Sequence, residues 1–263
     1  MVVIVTRPAN AGQRLFDRVA ERGHQAVWWP AFDIGTAPDA EAARVALSRL
    51  SHYQLAIFVS ASAVSATRAL LNTEWPTRTV IGAVGESTRV AIETELQPVA
   101  DATVIAPGDG GESGSEAFWR AWQAGAHRAR RVLLLRAEEG RNWLADRFRE
   151  TGAEVDAIAV YARRPRNLSA EERSELQRLI ADRKLAVAVF SSTEAVAALD
   201  AQVGAAGQDW LRAGTAIACH PRIADRLTSN GYSRVLDTTF DDDSIIAKLE
   251  SICTERSKNR REV

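Results

Sequence analysis

Ten short apolar runs punctuate this chain, and a helix-patterned stretch separates most of them. The runs fall at residues 2–7, 25–32, 55–60, 79–85, 103–107, 131–136, 155–161, 185–191, 215–219 and 234–237. A continuous apolar run of this length, bounded by polar turns, reads as a strand covered on both faces. The stretches between carry the helical period: 13–22 places Leu15, Phe16 and Val19 on one side, and 171–181 does the same with Leu176, Leu179 and Ile180. Buried strands alternating with amphipathic helices make an α/β architecture with parallel sheets.

The pattern also repeats. Phe58-Val59-Ser60-Ala61-Ser62-Ala63-Val64 resembles Phe190-Ser191-Ser192-Thr193-Glu194-Ala195-Val196, and Val3-Ile4-Val5-Thr6-Arg7 echoes Leu133-Leu134-Leu135-Arg136. Ile81-Gly82-Ala83-Val84-Gly85 precedes a helix as Ile217-Ala218-Cys219-His220 does. The pairs recur in order at an offset of about 130 residues, which suggests two similar five-strand units. The repeat leaves the strand pairing open. In a tandem arrangement the chain divides near Arg128; in an exchanged one the first two strands cross over and join the last three.

Composition removes several classes of function. No apolar run approaches the roughly 18 residues of a bilayer-spanning helix, and the N-terminus lacks the basic segment and longer apolar stretch of a signal peptide. Two cysteines, Cys219 and Cys253, form neither a disulfide framework nor a metal spacing, so a reducing cytoplasm is the expected compartment. A net charge of −1 argues against a dedicated nucleic-acid surface. The four histidines are scattered and suggest no metal. Gly108-Asp109-Gly110-Gly111-Glu112-Ser113 fails the dinucleotide fingerprint at Ser113, and Gly85-Glu86-Ser87-Thr88-Arg89 fails the nucleophile elbow at Arg89. Residues 35–40, 108–115 and 163–168 have little core character; the first and last follow strands, contain Pro38 and Pro165 and read as linkers, while 253–263, charged and without an apolar face, reads as a disordered tail.

What remains is a set of strand-to-helix turns rich in small hydroxyl residues: Thr6-Arg7-Pro8, Ser60-Ala61-Ser62, Gly85-Glu86-Ser87-Thr88 and Ser191-Ser192-Thr193. Ligands of open α/β sheets sit beyond the carboxyl ends of the strands, where free backbone N–H groups favour anions. Each hydroxyl alone is explained as a helix N-cap worth about 1 kcal/mol; together the turns point to a multiply anionic ligand. Arg136 and Arg141 follow a strand, where a loop cation pairing with Glu138 or Glu139 is the plain alternative. Tyr161 ends a strand, a position that ordinarily packs the ring and hydrates the hydroxyl.

These motifs in their order resemble the uroporphyrinogen-III synthases. The likeness runs through Val3-Ile4-Val5-Thr6-Arg7-Pro8, Pro30-Ala31-Phe32-Asp33-Ile34, the two Phe58 and Phe190 turns and Ala83-Val84-Gly85-Glu86-Ser87-Thr88. It continues at Leu135 to Arg141, Val160-Tyr161-Ala162-Arg163 and Gly231-Tyr232-Ser233-Arg234-Val235, about residues 2 to 250 in all. The resemblance implies two flavodoxin-like domains with parallel five-stranded sheets, joined by a two-stranded linker in the exchanged arrangement. Domain one is then 1–34 with 167–252, domain two 39–161, and the ladder 35–38 with 162–166. It implies a lyase without a cofactor, a monomer, acting on hydroxymethylbilane, a linear tetrapyrrole with carboxylates on every ring. A transient contact with hydroxymethylbilane synthase is compatible with it. The terminal hydroxyl is expelled, the substituted carbon of the fourth pyrrole attacks, and the ring closes with that pyrrole inverted. By the same resemblance Tyr161 is the proton donor and Thr88 a carboxylate ligand.

The chain departs from the family pattern in three places. Ala137 stands for the Gly of the Leu-Arg-Gly motif, and Val59 and Ser62 replace a common Thr and Asn. His220-Pro221-Arg222-Ile223-Ala224 lacks Gly-Pro-Thr-Thr, which leaves Arg222 as the anion ligand of that turn. The competing reading is a non-catalytic two-domain binding protein for a small anionic metabolite, which has no need of Tyr161. A Tyr161 sealed in a core would leave the implied mechanism, with Tyr161 as proton donor, no place to happen.

Overall fold

The computed structural model describes residues 1–97, 102–108 and 113–259, the side chains of 256–259 excepted. Strands and helices follow one another as β1 (Val2–Val5), α1 (Ala9–Glu21), β2 (Ala26–Trp28), β3 (Phe32–Thr36), α2 (Ala40–Ser48), β4 (Leu55–Phe58), α3 (Ala61–Leu70), β5 (Val80–Ala83) and α4 (Glu86–Ala91). Next come β6 (Val104–Ile105), α5 (Ser115–Ala124), β7 (Arg131–Ala137), α6 (Trp143–Glu150), β8 (Glu154–Pro165), α7 (Ala170–Ala181) and β9 (Ala186–Phe190). The chain ends with α8 (Thr193–Arg212), β10 (Thr215–Ala218), α9 (Pro221–Ser229), β11 (Val235–Asp237) and α10 (Asp242–Asn259). None of the described helices is long and apolar enough to cross a membrane.

The strands form two sheets, ordered β11-β10-β9-β1-β2 and β3-β8-β7-β4-β5-β6. The pairing is therefore the exchanged one. β1 lies parallel between β2 and β9, while β4 lies parallel between β5 and β7. Numbered by position within each repeat, β1, β2, β9, β10, β11 and β7, β8, β4, β5, β6 both give the order 2-1-3-4-5. The chain divides into two compact units, Met1–Asp33 with Arg164–Val263, and Ile34–Arg163.

Each sheet feeds a core on both faces, which is why its central strands β1, β9 and β4 are apolar at every position. In the first unit Val2, Ile4, Ala188 and Phe190 enter one cluster, while Val3, Val5, Val187 and Val189 enter the other. In the second, Ala56, Phe58, Leu133 and Leu135 lie on one side, and Leu55, Ile57, Val132 and Leu134 on the other.

Three segments differ from the sequence reading. The expected strand 25–32 breaks after Trp28, and the chain resumes as β3 (Phe32–Thr36), of which only Gly35 and Thr36 were read as linker; β3 makes the second sheet six-stranded where five strands were expected. β8 continues to Pro165 beside it. The supposed disordered tail is helical as far as Asn259. Ile245, Ile246, Leu249 and Ile252 bury the preceding turns of α10, extension of a nucleated helix costs little, and Arg234 pairs with Glu255 at 2.5 Å. Residues 260–263 of that tail, and 109–112 of the glycine-rich stretch, lie outside the described residues.

Gly12 sets how closely α1 approaches the end of β1. A Cβ there would stand 1.9 Å from the Arg7 carbonyl oxygen and 2.5 Å from Trp28 Nε1, whose N–H donates to that same oxygen at 2.8 Å. Backbone cannot yield as a side chain can. Gly12→Ala is expected to cost about 1–3 kcal/mol, read as a lower urea midpoint at unchanged slope.

Candidate active site

Because β1, β2, β9, β10 and β11, and likewise β4 to β8, pair in parallel, their carboxyl ends lie along one edge of each sheet, where the hydroxyl-rich turns are found. In the first unit that edge is partly closed by its own side chains. Thr6, fully buried, donates through Oγ1 to the Val189 carbonyl at 2.6 Å, tying β1 to β9. Arg7 is 3% exposed. Its guanidinium meets Asp242 Oδ1 at 2.7 Å and the Phe240 carbonyl at 2.5 Å, and lies 4.4 Å from the centroid of the Phe240 ring. The expectation that Thr6 and Arg7 bind a ligand is corrected here, since both are internal ties of the fold. Cys219 shares this interior, and burial pushes its thiol up, with Arg7 pulling the other way.

The remaining turns of this edge are open. Ser191, Ser192 and Thr193 are half-buried, with Ser192 Oγ accepting the Ala195 N–H at 3.1 Å as the cap of α8. Arg222 is exposed and has no carboxylate partner among the described residues. The cap of α9 is His220, whose Nδ1 accepts the Arg222 N–H at 3.1 Å. The sequence reading missed that role, although Pro221 marks a first helical position and so points to the residue before it as the cap.

In the second unit Ser60 Oγ caps α3 by accepting the Ala63 N–H at 3.1 Å, with Ser62 half-buried in the following turn. Gly85 precedes α4 in extended backbone. A Cβ there would come within 2.9 Å of Ser113 Cβ, so close approach of two chain segments accounts for the glycine. Ser87 is half-buried. Thr88 is only 2% exposed, which corrects the expectation of a ligand-facing threonine: it lies on the inner face of α4. In this turn Arg89 is held by Glu86 and Glu93, and its hydrogen bond keeps the Glu86 carboxyl below the usual range.

Arg136 and Arg141 pair differently from the glutamates considered in the sequence. Arg141 binds Glu116 at 2.7 Å. Arg136 reaches Asn142 Oδ1 at 2.7 Å and has no carboxylate partner among the described residues. It is the cation left available at the end of β7.

Tyr161 owes its direction to a bulge. Register along β7 and β8 runs Leu135 to Ile158 and Arg136 to Ala159, then jumps to Ala137 opposite Tyr161. The extra residue breaks the period of two, so Val160 and Tyr161, neighbours in sequence, enter the same core cluster. Tyr161 is 2% exposed, contrary to the expected ligand-facing tyrosine. Its hydroxyl lies 3.1 Å from Ser60 Oγ, beyond the end of β4. β7 stands between those strands, so the phenol, its hydrogen bond and the serine side chain together bridge two strand spacings of about 4.8 Å each. Ala137, small at that crossing, shares its cluster.

Comparison with known proteins agrees with this architecture. The profile of the family described as uroporphyrinogen-III synthase HemD matches residues 13–247. A uroporphyrinogen-III synthase of Proteus mirabilis is 30% identical over 166 residues, 62% of this chain and 80% of that protein. The crystal structure of uroporphyrinogen-III synthetase from Helicobacter pylori superposes with a TM-score of 0.59 at 16% identity, covering 95% of this chain and 98% of that one. A mutant uroporphyrinogen III synthase from the extremely thermophilic bacterium Thermus thermophilus gives 0.57 at 15% identity, over 97% and 98%. The family match, spanning most of the chain, decides the relationship: this protein belongs to the uroporphyrinogen-III synthase family.

Proposed function

We propose that this protein is a uroporphyrinogen-III synthase, a lyase that cyclises hydroxymethylbilane with inversion of the fourth pyrrole ring and loss of water. The observation that carries this reading is the family match over residues 13–247. The shared strand order 2-1-3-4-5 supports reading each unit as a flavodoxin-like domain, an architecture that binds ligands at its carboxyl edge.

The reaction asks for orientation more than for strong acid or base. A linear tetrapyrrole closes spontaneously to the uninverted type I ring, so the protein must hold the chain where the other carbon is reached. A hundredfold preference corresponds to about 2.7 kcal/mol of differential barrier. Half-buried hydroxyls, helix N-termini and available arginines suit that task, because carboxylates accept charge-assisted hydrogen bonds from all three. Ser60, Ser62 and Ser87 with Arg136 supply them in the second unit, and Ser191, Ser192, Thr193 and Arg222 in the first. Arg141 joins them where a ligand carboxylate displaces Glu116 from its guanidinium.

The deciding experiment supplies fresh hydroxymethylbilane and resolves the product isomers. Type III product well above the spontaneous background is expected. Type I alone, at the uncatalysed rate, would reject the assignment and favour a binding protein. Arg136→Ala is expected to raise KM about tenfold, or about 1.4 kcal/mol of carboxylate binding, with little change in kcat. An unchanged KM removes Arg136 from the ligand set.

A further inference from the structure

We infer that, of the paired hydroxyls of Ser60 and Tyr161, the serine's is the one that meets the ligand, in a direction that Tyr161 sets. The inference rests on the synthase reading and deepens it.

The assignment follows from counting protons and acceptor sites. A hydroxyl oxygen offers one O–H and two acceptor lone pairs. Ser60 Oγ already accepts the Ala63 N–H at 3.1 Å. Its other neighbour is the Tyr161 hydroxyl, also at 3.1 Å, and among the described residues that phenol has no other hydrogen-bond partner. Suppose Ser60 donated to Tyr161. The phenolic proton, on a residue 2% exposed, would then be buried without an acceptor, at a cost of about 1–3 kcal/mol. In the opposite sense Tyr161 donates to Ser60, every buried group is satisfied, and the Ser60 O–H remains for an acceptor from outside. The second arrangement is therefore the stable one.

Ser60 is also well placed. It follows β4 at the point where the second sheet reverses its order, with β5 and β6 on one side and β7 and β8 on the other, the position where open α/β sheets take ligands. A hydrogen bond received from a buried phenol strengthens the one that Ser60 gives. The acceptor is an oxygen of the bilane, either a carboxylate or the hydroxyl that departs. Tyr161 is then a positioning residue, and its reach over Ala137 is what aims the serine.

The test is a double-mutant cycle on the full chain, read as type III formation against the spontaneous type I background. Ser60→Ala is expected to slow type III formation tenfold or more, with Ser60→Thr restoring most of it. Tyr161→Phe should cost about tenfold alone and nothing further in the Ser60→Ala background. Ser60→Ala also removes a helix cap, so Ser60→Gly, which caps almost as well without a hydroxyl, must show the same kinetic loss at near-normal stability. A loss confined to KM assigns the acceptor as a carboxylate; one confined to kcat assigns the departing hydroxyl. The inference is overturned if Ser60→Gly turns over normally, or if Tyr161→Phe still costs tenfold without the serine hydroxyl. Neither result resembles failure of the synthase reading, in which the unaltered protein would yield only type I.

Discussion

Asp242→Ala is expected to remove about 3–5 kcal/mol of unfolding free energy, a large share of the roughly 5–15 kcal/mol that holds an ordinary domain together. The side chains of Arg7 and Asp242 are 3% and 7% exposed and meet at 2.7 Å. Asp242 also accepts from Arg14 Nε at 2.9 Å and has Arg18 at 3.9 Å. Removing the carboxylate leaves the Arg7 guanidinium in the interior with, among the described residues, the Phe240 carbonyl and ring and the Cys219 sulfur as its remaining contacts. Replacing both partners, Arg7→Met with Asp242→Leu, removes the uncompensated charge and should recover most of the loss. Urea unfolding of the two single variants and the pair measures this directly. The pair also separates two roles for Arg7. If Arg7 only ties β1 to the start of α10, the doubly substituted, folded protein keeps its type III activity. If it grips a substrate carboxylate, KM rises at normal stability.

The central strands were legible because each carries an unbroken apolar run, as at Leu133, Leu134 and Leu135, and such a run has one stable environment. β3 was not, since Phe32-Asp33-Ile34-Gly35-Thr36 carries a charge and a glycine. Such a segment becomes a strand only through a neighbour more than 100 residues away in the chain. The same non-locality hid the choice between tandem and exchanged pairing, because repeated strands look alike wherever they pair. In the site, the local roles were readable: Ser60 and Ser192 cap helices as hydroxyls before a helix do. The misplaced residues are those with distant partners. Thr6 and Arg7 look like a ligand turn until Val189 and Asp242 arrive, the latter 235 positions away. Tyr161 looks like a strand-end tyrosine until the bulge beside Ala137 turns it inward.

The exchanged pairing makes a second large prediction, about where the chain can be cut. Residues 34–163 expressed alone should fold cooperatively. They contain β4 to β7, β8 as far as Arg163, and the helices between them, and both of that unit's core clusters lie wholly within the segment. Residues 1–128, the natural cut for tandem domains, should remain unfolded. That fragment separates β4 from β7, whose Val132, Leu133, Leu134 and Leu135 are all at most 1% exposed, and it strips β9 from the other side of β1. Burying each such side chain is worth about 1.5–3 kcal/mol, so the four of β7 alone match the whole stability of a typical domain. Two central strands would be left with open edges and with cores uncovered on both faces, a surface that aggregates in preference to folding. Circular dichroism and urea titration distinguish the outcomes. A cooperative transition for 1–128, or its absence for 34–163, would mean that the two sheets do not store their stability separately.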